Sequence, residues 1–207
     1  MAIDIVSWLS VALIVATVTA MLVSRDWRVS LGALAVQYIA AFWLVTRHLP
    51  FVMGSAKLVT GWMVVAALGM TRLGLANLNL DEEIEETFLP RGQWFRIILV
   101  AVVVVVAGGS TLRIETSIPG LGLPVIAGSL ILIGTGVIHL GLTSDLLRVF
   151  LGLLTMLTGF EILYAAVESS ILVAGLLAVI NLGLGLAGSY LLTAGSYPPE
   201  PEEEEIT

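Results

Sequence analysis

Apolar residues gather into seven long runs along this chain, and almost every charged residue falls between them. The runs are roughly 15–25 residues, and all but the fourth are by themselves long enough for an α-helix to cross the ~30 Å hydrocarbon core of a bilayer. The pattern predicts spanning helices over residues 5–24, 29–45, 52–73, 94–108, 123–142, 146–167 and 170–194. Arg25-Asp26-Trp27-Arg28 separates the first two, and 109–122, with Arg113, Glu115 and Pro119, separates the fourth from the fifth. In lipid every backbone N–H and C=O must be satisfied within the chain, so single runs of this kind form helices. The predicted fold class is all-α, a polytopic transmembrane bundle of about seven spanning helices.

Two stretches depart from the pattern. Residues 75–93 carry Asp81, Glu82, Glu83, Glu85 and Glu86 beside a four-residue apolar repeat, Leu80, Ile84 and Phe88. That spacing suits a short helix lying on the membrane surface or against a partner. No metal is expected there, because a calcium loop needs alternating oxygen ligands, a glycine at its sixth position and a late glutamate. Residues 196–207, rich in proline and glutamate, have the composition of a disordered tail. The expected units are three N-terminal helices (1–74), the acidic segment (75–93), the fourth helix with its outer loop (94–122), a three-helix unit (123–195) and the tail (196–207).

A few polar residues interrupt the apolar runs, and they are the candidates for chemistry. Glu161 sits in Leu153-Leu-Thr-Met-Leu-Thr-Gly-Phe-Glu161-Ile-Leu-Tyr-Ala-Ala-Val167, with apolar, small or hydroxylic neighbours on both sides. An acid at such a position costs on the order of 2.5–3.5 kcal/mol to insert, so it normally faces a bundle interior and serves a function. The plainer alternative is a protonated glutamate that pins two helices together by hydrogen bonding. Lys57, about one turn into the third helix, either snorkels to the interface or pairs with a carboxylate such as Glu161. Glu168, seven residues after Glu161, projects from nearly the same helix face ~10 Å further along, where it should reach water as an ordinary interfacial acid or form the outer mouth of a relay. Tyr164, one turn from each, has a hydroxyl that could bridge them. Asn181, mid-way along the seventh helix, needs a hydrogen-bond partner and suits interhelical adhesion. The proton-relay candidates are therefore Glu161, Lys57, Glu168, Tyr164 and Asn181. Gly183-Leu-Gly185-Leu-Ala-Gly188 has the spacing of a dinucleotide fingerprint, but it lies inside an apolar helix with no preceding strand. There it reads as a close-approach surface between helices.

Composition narrows the classes. The chain is 58% hydrophobic and 12% charged, without cysteine and with two histidines. Disulfides, thiolate metal sites and iron–sulfur ligation are excluded, and no cofactor is expected. The net charge of −7 comes mainly from the two acidic clusters, and no basic patch suggests nucleic acid. Arg25, Arg28, Arg72, Arg91, Arg96 and Arg148 fall on the side reached after the first, third and fifth helices; Arg47 and Arg113 fall on the other. The positive-inside rule then predicts an outside N-terminus and a cytoplasmic C-terminus. Asp4, with no basic residue before the first run and Arg25 and Arg28 after it, marks that run as a retained anchor with its N-terminus outside and not a cleavable signal.

Met156-Leu-Thr-Gly159-Phe-Glu161-Ile-Leu-Tyr-Ala165, preceded by Leu146-Leu-Arg148, resembles the second helix of the K subunit of bacterial NADH–quinone oxidoreductase (complex I) and of its counterpart, the C subunit of Mrp antiporters. Residues 123–194 would be the three-helix K-like unit. The four helices before it give a layout similar to component E of hydrogenase-4, with Arg28-Val-Ser-Leu-Gly32-Ala-Leu-Ala-Val-Gln37 and Ala56-Lys57-Leu-Val resembling its second and third helices. The resemblance implies a membrane subunit of an ion-translocating assembly, with Glu161 in a hydrophilic axis and antiporter-like membrane subunits as partners. It implies at most a non-redox subunit, any redox site belonging to those partners. It also implies a departure: in the register of the family's second membrane glutamate stands Asn181, whose amide does not carry a proton. The alternative function is a non-transporting structural or assembly subunit.

Overall fold

A computed structural model describes residues 2–77, 92–168 and 170–196. The elements are α1 (Ala2–Val23), α2 (Trp27–Val45), α3 (Phe51–Asn77), α4 (Gln93–Ser117), α5 (Leu123–Leu142), α6 (Leu146–Val167) and α7 (Ile171–Gly195), with no strand among the described residues. All of them are long and apolar enough to cross a membrane. The acidic segment expected over 75–93 falls largely on 78–91, outside the described residues, as does the tail beyond Ser196.

α5 and α6 occupy the residues expected of them, whereas α4 runs nine residues past its expected end at 108. Gly108-Gly109 does not break it. Thr111 returns its hydroxyl to the carbonyl of Ala107, and the backbone bonds continue until Ile118 N–H meets Ile114 O. The turn to α5 is consequently short. Glu115 closes it by accepting from the N–H groups of Gly120 and Gly122 at 3.2 and 3.0 Å, both glycines having positive φ. That conformation is inexpensive only without a Cβ.

The helices form two stacked rows. α1, α2 and α3 lie side by side in chain order, as do α5, α6 and α7. Between rows, α1 packs on α5, α2 on α6 and α3 on α7, while α4 covers the edge shared by α1 and α5. The rows are alike in sequence where their middle helices begin. α2 opens with Asp26-Trp-Arg28-Val-Ser-Leu-Gly32-Ala-Leu34, and α6 with Asp145-Leu-Leu-Arg148-Val-Phe-Leu-Gly152-Leu-Leu154. Each aspartate caps its helix, accepting from Arg28 N–H at 2.8 Å and from Leu147 N–H at 3.2 Å. Arg148 Nη2 donates to the carbonyl of Arg25 at 3.4 Å, so the two helices start level.

Small residues set the distance between helices. A Cβ on Gly136 would lie 2.8 Å from the backbone N of Met156, and one on Gly159 would lie 2.8 Å from the carbonyl O of Ser129. These two glycines bring α5 and α6 to backbone contact, which maximises dispersion where lipid supplies no hydrophobic drive between helices. Two apolar clusters fill the interior. Ile14, Leu44, Leu132 and Ile162 belong to one, and Leu34, Leu68, Leu151 and Leu154 to the other. Val102, Val105 and Val106 of α4, with Leu172, Val179 and Leu186 of α7, remain exposed, as side chains that face lipid do.

Candidate functional site

Lys57 and Glu161 meet inside the bundle. Lys57 is six residues after the start of α3 and Glu161 six before the end of α6, so both lie ~9 Å from the same end of the bundle. Lys57 Nζ is 3.6 Å from Glu161 Oε2, and the two side chains are 10% and 5% exposed. The ammonium is therefore turned inward to the acid and not out to the interface. α3 touches α2 and α7 broadly, and Lys57 carries an ion pair from it across to α6. Neither charge is tolerable alone in such surroundings, because removing an ion from water costs several kcal/mol and only a close counter-charge offsets it. The pair leaves Glu161 Oε1 without a hydrogen-bond partner.

Polar groups surround the pair on the side of the bilayer centre. Tyr38 of α2 is buried and donates its hydroxyl to Asn181 Oδ1 at 3.1 Å, joining α2 to α7. Thr158 of α6 lies beside the same hydroxyl and itself donates to Leu154 O at 2.7 Å. Gly61, one turn beyond Lys57, makes room for the phenol ring: a Cβ there would lie 2.5–2.7 Å from its atoms. Gly185 does the same for Val64 between α7 and α3. One turn of α3 thus supplies both the cation and the gap that lets the tyrosine reach across.

Of the five sequence candidates, the structure brings Glu161, Lys57 and Asn181 into one cluster, the last through Tyr38. Glu168 stands apart. It is the C-cap of α6, exposed, with its backbone N–H on Tyr164 O. Tyr164 stacks on Phe160 with ring centroids 6.1 Å apart, and its hydroxyl joins neither acid by a hydrogen bond. Sequence reasoning missed Tyr38, Gly61 and Gln37. Gln37 was open to detection as the one amide within an otherwise apolar second helix. Gly61 had no local signal, since its role depends on a ring from another helix.

The described residues hold no group of three or more histidine, cysteine or carboxylate side chains that could bind a metal. What the arrangement can do chemically is hold one acid and one base side by side, out of water, with one carboxyl oxygen unengaged. The fold and this site define a class: a multi-pass helical membrane protein with a buried acid–base pair bridging two helices. No family model, curated protein or solved structure matches the chain.

Proposed function

We propose that the protein is a membrane subunit of an ion-translocating assembly, in which Glu161 and Lys57 form one step of a proton (or sodium) pathway. The supporting observation is the buried Lys57–Glu161 pair with Oε1 unengaged. Glu161 and Lys57 lie 3.6 Å apart in a low-dielectric interior, close enough that one proton moving between them converts an ion pair into a neutral pair. Such a pair has a charged and a neutral form, and it passes a proton onward without a lone charge when one proton enters at one member as another leaves the other. The likeness of the Glu161 helix to the K subunit of complex I and the C subunit of Mrp antiporters, and of the layout to hydrogenase-4 component E, supports the same reading. In it the subunit carries no cofactor and works beside antiporter-like membrane partners in the cytoplasmic membrane.

The test is Glu161→Gln, which keeps shape and hydrogen bonding but removes the titrating proton. Proton or sodium translocation in proteoliposomes, normalised to assembled complex, should fall severely. Wild-type rates in the Gln variant would sink the relay. They would favour the second reading, a structural subunit, which the amide at Asn181 and its hydrogen bond to Tyr38 also suit. Orientation belongs to the same proposal. With the arginine-rich side in the cytoplasm, a tag after Thr207 should resist protease added outside intact cells, while one in the 118–122 turn should be cut.

A further inference from the structure

Gln37 poses a question that the ion pair does not answer. Its side chain is 0% exposed, and neither its amide nitrogen nor its amide oxygen has a hydrogen-bond partner. Thr155, 3% exposed, has a hydroxyl in the same condition, and Glu161, 4% exposed, has Oε1 unengaged while Oε2 faces Lys57. Buried groups without partners are rare, because each has given up hydration for nothing in return. These three are not scattered. α2 and α6 pack together from level starts, and Gln37 is nine residues beyond Arg28 while Thr155 is seven beyond Arg148. That places the two within ~3 Å of the same height. From Thr155, Thr158 and then Glu161 follow at three-residue spacing, each step rising ~4.5 Å along α6. The Thr158 hydroxyl spends its proton on Leu154 O and retains acceptor capacity.

We propose that Gln37, Thr155 and Oε1 of Glu161 are the fixed partners of a short file of buried water between α2 and α6. Buried water characteristically makes about three hydrogen bonds to polar groups that lack protein partners. An amide supplies two donors and an acceptor, a threonine hydroxyl one donor and an acceptor, and a carboxylate oxygen an acceptor. The span from Thr155 to Glu161, ~9 Å along the axis and ~120° around it, exceeds what one water bridges and suits two or three that follow the surface of α6 past Thr158. Leu34, Leu151 and Leu154, each wholly or nearly wholly buried, close the file toward the Arg25–Arg148 end. The file gives Glu161 a partner for proton exchange other than Lys57. The water site stands on the placement of the three side chains; only its role in proton exchange rests on the relay reading above.

Radiolytic hydroxyl-radical labelling, which activates bound water in place, tests the site in the full-length protein in nanodiscs. Tyr38 and Leu154, both buried, should be labelled above Ile14 of the apolar cluster, and the label should be lost in Gln37→Leu and in Thr155→Val. Labelling of Tyr38 and Leu154 no greater than that of Ile14 overturns the site. So does a melting temperature that rises in Gln37→Leu, since that is what removing a dry, unpaired amide does. For the role, translocation should fall in both variants as it does in Glu161→Gln. Wild-type rates in both, against a slow Glu161→Gln, overturn the exchange role and leave the site. A Glu161→Gln variant as fast as wild type overturns the relay and the exchange role together, while the labelling still decides the site.

Discussion

α2 and α6 begin with nearly the same residues and end with different chemistry. Both start at a capping aspartate, continue Arg-Val-x-Leu-Gly-x-Leu, and lie against each other in register. With Arg28 aligned to Arg148, Tyr38 falls opposite Thr158 and Ala41 opposite Glu161. The shared glycine already behaves differently in the two. A Cβ on Gly32 would meet nothing within 4 Å, whereas one on Gly152 would lie 3.2 Å from Leu140 and 3.3 Å from Gly136 O. Ala41 packs in an apolar cluster with Ile14 and Leu44, while Glu161 receives Lys57 from α3. Local sequence sets where such a helix starts, but what its buried positions do is set by the helix that happens to face them.

The largest effect should come from breaking the feature that α6 has and α2 lacks. Lys57→Ala leaves Glu161 as an unpaired buried acid and should cost about 3–5 kcal/mol, while replacing both Lys57 and Glu161 with methionine should restore most of that or exceed wild type. Unfolding of the two variants in detergent micelles checks this. A single variant as stable as wild type would mean the pair contributes nothing to holding α3 on α6.

Next in size is the glycine contrast. Gly136→Ala drives a methyl toward backbone atoms of Met156 and Gly152 and should destabilise by about 1–3 kcal/mol. Gly32→Ala meets open space and should stabilise α2 by up to about 1 kcal/mol through helix propensity. Equal effects at the two sites would erase the distinction drawn between the rows. The smallest expected difference concerns the caps. Asp26→Ala and Asp145→Ala should each cost about 1 kcal/mol, because each removes one bond to a first-turn N–H, and the Arg148 ion pair that Asp145 also loses is partly exposed and adds little. Their near-equality, read from melting temperatures, is the point; a large gap would show that the starts of the two helices are not equivalent.

Much of the architecture was legible before any coordinates. The runs over 123–142 and 146–167 coincide with α5 and α6, since the polar Thr143-Ser-Asp145 between them interrupts the apolar pattern sharply. The end of α4 was misjudged because paired glycines stop helices in water more readily than in an apolar span, where backbone groups have no alternative partner. Within the site, Glu161 and Lys57 stood out as charges in the wrong solvent. Glu168 ends at the exposed cap, as its place at the outer end of the run suggests, whereas Tyr164, set between the two acids by helical spacing, turns to Phe160.

The amino-acid sequence alone determined that seven helices form, roughly where each begins, and which few side chains are costly to bury. Those outcomes depend on hydrophobic run length, caps and the expense of a charge in hydrocarbon, all of which act over a few residues. Only the tertiary structure decided that Lys57 turns inward to Glu161, that Tyr38 crosses to Asn181 over Gly61, and that Gln37 and Thr155 stand unpartnered at one height. Each of those depends on residues 23 to 143 positions apart meeting face to face, from Tyr38 and Gly61 to Tyr38 and Asn181. That is settled by the order in which seven similar helices stack, and an apolar surface says little about which neighbour it will meet.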